Sequence, residues 1–199
     1  KRYVSKVIDV KNEGCLRTLP SPVNDVFGEE YYLSLNYGRL SIYAPDYGYR
    51  NVRMKRDDLQ GLKNDGVYYG EIASGQQEPA KLLISLRDIV EIKPLPSMQG
   101  ADHTINHLTI SPDGHTFLLV HRWYQYGKRY DRLLCIPRDG SDLQILADNS
   151  MVSHVAWINS TVVAGYFRNT KGKDGYFKID TYSKKEEELF PNIKWPHGD

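Results

Sequence analysis

Along most of the chain, apolar positions either alternate with polar ones or form short continuous runs, and Gly, Asn, Asp and Pro separate these runs. A period of two with β-branched and aromatic residues is the signature of strands. The pattern predicts strands at Val4–Val10, Tyr31–Tyr37, Gly66–Ile72, Ala80–Leu86, His107–Ile110, Thr116–Trp123, Arg132–Pro137, Leu143–Ala147, His154–Ile158, Thr161–Phe167 and Gly175–Thr181. Helical spacing is confined to "SLRDIVEI", Ser85–Ile92. The class expected is therefore all-β.

The pattern also repeats. "INHLTISPDGHTFLLVHRW" aligns with "VSHVAWINSTVVAGYFR", so that His107 falls on His154, Thr116 on Thr161 and His121 on Tyr166. A weaker copy, "PVNDVFGEEYYLSLNY", puts Asn36 where His121 stands. The spacing of about 45 residues is that of a four-stranded propeller blade. The expected architecture is a single partial β-propeller over residues 1–199, with a partial blade at 1–20 and further blades at 21–100, 101–150 and 151–199. About three blades and part of another do not close a ring, which takes roughly four to eight, and the ring expected here has about six to eight. The expectation is thus a fragment of such a ring, or a half completed by a missing C-terminal half or by homo-oligomerisation.

Composition narrows the partners. The net charge of +1 gives no electrostatic footprint for nucleic acid. No apolar run is long enough to span a membrane as a helix, so neither nucleic acid nor membrane is expected as a partner. The two cysteines, Cys15 and Cys135, show neither metal spacing nor a disulfide framework, and Cys135, in an apolar run, reads as a small buried hydrophobe.

Candidate chemistry follows from the blade geometry. "SPDG", Ser111–Gly114, reads as the turn between the two innermost strands of the middle blade. His107 and the end of the strand at His121 then lie at the opposite rim, joined by His154 from the next blade and Asn36 from the previous one. The stretch "HRWYQYGKRYDR", residues 121–132, reads as a loop on that rim, as does the insertion at 38–56. Their Arg, Trp and Tyr residues suit an anionic sugar, with guanidinium forks for carboxylates and aromatic faces for rings. Asn36, Arg39, His107, Trp123 and Tyr124 are accordingly expected to bind ligand. Arg122 reaches the site only if the strand ends or bulges at His121, because neighbouring side chains in a strand face opposite ways. His103, read as a loop residue, and His115, beyond the turn, are set aside.

The segments "NHLTISPDG", "LLVHRW", "RDGSDLQIL" and "MVSHVAW" resemble the propeller of oligogalacturonate lyases and their TolB-like, WD-repeat-like relatives, over most of residues 20–199. The resemblance implies an enzyme acting on acidic oligosaccharides by metal-assisted β-elimination. His121 would be the base that removes the proton α to a carboxylate, and Arg122 would stabilise the enolate-like intermediate. His154 would be one ligand of a divalent metal, manganese, whose other ligands lie outside this chain. Two departures stand against it: Arg122 and Val155 occupy positions that are acidic in the lyases. A lone His154 holds no metal, so this chain alone is expected to be inactive. The alternative is a non-catalytic propeller that binds a glycan or protein partner through the same rim.

Overall fold

The computed structural model describes residues 3–49, 54–72 and 78–193. The protein is mostly β, and its chain divides into two units, Lys1–Glu91 and Ile92–Asp199.

In the first unit, β1 (Ser5–Ile8) and β2 (Cys15–Leu19) form a two-stranded antiparallel hairpin. A four-stranded antiparallel meander follows: β3 (Asp25–Phe27), β4 (Tyr31–Leu35), β5 (Gly66–Glu71) and β6 (Lys81–Ser85), paired in chain order. β4 is buried along its whole length. The cross-strand partner of Tyr32 is Gly70, where a Cβ would collide with the Tyr32 ring, so the aromatic occupies space that only glycine leaves. Between β4 and β5 lies α1 (Tyr37–Tyr43), which the aromatic-rich sequence does not announce. Asn36 starts it, its side-chain oxygen accepting from the Arg39 amide at 3.1 Å. The expected helix at Ser85–Ile92 is present as α2 (Leu86–Glu91). Ser85 and Asp88 cap it reciprocally: the Asp88 amide donates to Ser85 Oγ and the Ser85 amide to Asp88 Oδ2, each at 3.1 Å.

The second unit holds two four-stranded antiparallel meanders. One is β7 (Asp102–Ile110), β8 (Thr116–Gln125), β9 (Lys128–Pro137) and β10 (Gln144–Ala147). The other is β11 (Val152–Trp157), β12 (Val162–Arg168), β13 (Asp174–Asp180) and β14 (Glu186–Glu188). Leu118, Val120, Leu133 and Cys135 of the first sheet pack on Val152, Val163, Phe167, Phe177 and Ile179 of the second. Fully burying each large aliphatic or aromatic side chain contributes about 1.5–3 kcal/mol, so this layer contributes substantially to the unit's stability. Cys135 is buried there as a small hydrophobe.

Turn chemistry fixes the registers. At Ser111–Gly114 the Ser111 amide donates to Thr116 O and the Gly114 amide to Ser111 O, with Gly114 at φ 72°. The expected loop at 121–132 is not one. β8 and β9 continue through it to a two-residue turn at Tyr126 and Gly127, with φ of 50° and 74°. Positive φ at both central residues is the type I′ geometry that matches strand twist.

Candidate functional site

Because β8 stays regular past His121, its side chains alternate between the two faces of the sheet. Cross-strand partners share a face. Ile105, His121 and Arg132 lie in register on one face, next to His103, Trp123 and Tyr130. Thr104, Arg122 and Asp131 lie on the other, next to Asp102, Tyr124 and Arg129. The two residues assigned together to catalysis, His121 and Arg122, therefore point in opposite directions.

The first face is sealed. His121 is 0% exposed and both its ring nitrogens are engaged. Arg132 Nε donates to His121 Nδ1 at 3.0 Å, which makes that nitrogen the acceptor and puts the proton on Nε2. Nε2 then donates to His103 Nδ1 at 3.0 Å, and His103 Nε2 donates to the Met98 carbonyl at 3.1 Å. Arg132 Nη1 donates to Ile92 O at 2.8 Å. Burial first, then the charge of Arg132, holds His121 well below the ordinary histidine range. Burial also brings Arg132 down to about 10. Trp123 stacks on Tyr130 with ring centres 5.4 Å apart and donates to Ser97 Oγ at 3.1 Å, so it is fully buried core. His121 and Trp123 thus have no access to a ligand. His103, set aside as a loop residue, is a β7 residue and the partner of His121.

The other face carries a partly open cluster. Between Asn106 and Thr109 the pairing of β7 with β8 slips, and His107 adopts φ 53°. β8 neither ends nor bulges at His121, and the irregularity lies here instead, where a bulge re-aims a side chain. The half-buried His107 ring sits 6.2 Å from the ring of the exposed His154 on β11. Burial first, then Arg122 and His154, lowers His107 to about 4, so it is neutral at pH 7. Arg122 Nε donates to Asp131 Oδ1 at 2.7 Å, and Arg129 reaches the other oxygen at 3.3 Å. The Val152 amide of β11 also donates to Asp131. Burial raises the Asp131 carboxyl above its ordinary value against the pull of these arginines. The Nη groups of Arg122 have no hydrogen-bond partner among the described residues. Asn106 shares this face, two residues from Thr104. Its oxygen accepts from the His107 amide at 2.8 Å, while its buried Nδ2 has no partner among the described residues. Tyr124 is half-buried one position beyond Arg122 on the same face.

The other expected ligand residues belong to the first unit and are spent on structure. Asn36 Nδ2 donates to Asp65 Oδ2 at 2.8 Å while its oxygen caps α1. Arg39, 2% exposed, forms a 2.5 Å ion pair with Asp65 and donates to the Leu59 carbonyl. Residues 50–53 of the 38–56 insertion lie outside the described residues. Arg122, His107, Tyr124 and His154 are therefore gathered on one face, and His121, Trp123, Asn36 and Arg39 are fixed elsewhere. Sequence reasoning missed Asn106. Its only signal was its place immediately before His107.

Among the described residues no three His, Cys, Asp or Glu side chains cluster as a metal site. His107 and His154 are two imidazoles beside a guanidinium whose charge repels a cation, so these residues do not fit a divalent metal. Compared with family models, curated proteins and solved structures, the chain finds no match.

Proposed function

We propose that the chain is part of a β-propeller that binds an acidic oligosaccharide through a carboxylate at Arg122, His107 and His154. One observation carries this reading: the Arg122 Nη groups, donors without a partner among the described residues, beside a half-buried imidazole on one face. A carboxylate supplies two acceptor oxygens to a guanidinium in the paired geometry that an arginine favours. Three successive four-stranded meanders support the propeller part of the reading. The test is calorimetric titration with an oligogalacturonate and with its neutral galactose counterpart. The acid is expected to bind and the neutral sugar not, and Arg122→Lys, which loses the planar fork, is expected to weaken the acid by about tenfold. Equal binding of both sugars overturns the reading.

A lyase activity is the second reading, favoured by the place of His107, a half-buried imidazole beside the Arg122 guanidinium. The free imidazole, at about 4, is a weak base, and a carboxylate bound at Arg122 raises its proton affinity toward the range a general base needs. His107, rather than the sealed His121, would take the proton α to the carboxylate. The C–H electrons form the new double bond as the β C–O bond breaks, and the departing sugar oxygen takes a proton from solvent. The unsaturated product absorbs in the ultraviolet. Its appearance with the wild type and loss in His107→Ala is the expected result. Binding without product leaves the chain a binding module.

A further inference from the structure

The first unit contains a cavity of about 290 Å³, away from every residue assigned a role above except Asn36. We infer that it is a binding site for a small uncharged aromatic molecule of about two fused rings, such as an indole. Its walls are Tyr3, Tyr37 and Tyr68 and the prolines Pro20, Pro22 and Pro79. Among the described residues no Lys, Arg, His, Asp or Glu side chain lines it, so an ionic ligand finds no counter-charge there.

Among the described residues, most side-chain polar groups in the wall are engaged, the Ser34 hydroxyl being the exception. The Tyr37 hydroxyl accepts from Asn24 Nδ2 at 3.0 Å and donates to the Val23 carbonyl at 3.2 Å. The Tyr68 hydroxyl lies 3.3 Å from Asp65 Oδ1 and 3.2 Å from the Asn64 carbonyl. Asn36 is held by Asp65 and by the Arg39 amide. A pyranose would carry several hydroxyls into a wall with few remaining partners, and each unsatisfied one costs about 1–3 kcal/mol. A flat apolar ring meets no such cost and gains the faces of tyrosine and proline.

The walls are braced before any ligand enters. Tyr3 packs on Tyr49 with ring centres 4.7 Å apart and donates to its carbonyl at 2.9 Å. Tyr49 packs on Tyr37 at 4.9 Å. Across the cavity, the Ala80 amide donates to Ser21 Oγ at 2.9 Å, tying the Pro79 wall to the Pro20–Pro22 wall. Size bounds the ligand: benzene fits an enclosed cavity of about 150 Å³, so this open cleft of about 290 Å³ has room for a second ring.

The experiment uses the whole chain with indole, benzyl alcohol and methyl galactoside as probes, read by calorimetry and by amide chemical-shift mapping. Indole is expected to bind more tightly than benzyl alcohol, to shift the amides of Tyr37, Gly38 and Ala80, and to leave those of Arg122 and His107 unmoved. Ala80→Leu fills the cavity while keeping the backbone donor to Ser21. It is expected to weaken indole at least about tenfold. Should that variant fail to fold, the shift map of the wild type decides alone. Saturable binding of methyl galactoside with no binding of indole overturns the inference, as does indole binding that Ala80→Leu leaves intact or that moves other amides.

Discussion

Arg132 is 0% exposed, and the described contact of its Nε is a neutral imidazole. A buried guanidinium is tolerated only while its donors are met. His121 meets one of them because its other nitrogen is the proton carrier. His121→Phe keeps the ring's bulk and removes the acceptor. It is expected to destabilise the protein by about 1–3 kcal/mol, the cost of leaving a buried donor of Arg132 without its acceptor, seen as a lowered urea midpoint with an unchanged slope. His121→Gln, whose side-chain oxygen also accepts, is expected to recover part of that loss. Neither substitution is expected to change oligogalacturonate affinity, because Arg122 lies across the sheet. The sequence showed both histidines but not their separation. That depended on whether β8 ends at His121 or continues, and alternating Arg, Tyr and Lys fits a loop as well as a twisted hairpin.

At the scale of elements, turn chemistry hid that hairpin. Type I′ turns favour Asn-Gly or Asp-Gly, and here a Tyr, 94% exposed, occupies the first left-handed position. Tyr126→Asn is expected to stabilise the protein by about 0.5–1 kcal/mol, and Gly127→Val to destabilise it by more than about 1 kcal/mol. Thermal melts of both variants check this. Where turn residues were conventional, as in "SPDG" and "RDGS", the strands on either side fall within a few residues of expectation. Helix α1 escaped notice because Tyr37, Ile42 and Tyr43 read equally as strand. Its signal is the Asn36 cap, whose side-chain oxygen accepts from the Arg39 amide while its carbonyl accepts from the Leu40 amide. β2, β3 and β14 are short or mainly polar and exposed, so no apolar alternation marked them.

For the whole molecule, the lowered histidines set a dependence on pH. His121 and His107 both bind protons less readily folded than unfolded, where histidine titrates near 6.5. Below about 6.5 the unfolded chain takes up protons that the native chain does not, so stability falls as pH falls and rises as pH rises. Each such group contributes a slope of about 1.4 kcal/mol per pH unit across its window. For His107 that window runs from 6.5 down to about 4. Urea midpoints at pH 7 and pH 5 are expected to differ, and His107→Asn to reduce the difference. A midpoint that stays level over this range contradicts the buried neutral assignment. The all-β class was legible because strand patterning is local. Arg122 and His107 were expected in one site, but the way they meet was not legible, because it rests on a bulge between Asn106 and Thr109 that no residue type announces.

The hydrogen bonds from Arg132 through His121 and His103 to Met98 all run one way. No ring in that chain can turn over or change tautomer without the others. Its two imidazole protons are therefore shielded from solvent for as long as β7 and β8 stay paired. They are expected to persist as separate, slowly exchanging nitrogen-bound signals in water, and their exchange rate becomes a clock for the opening of this pair of strands.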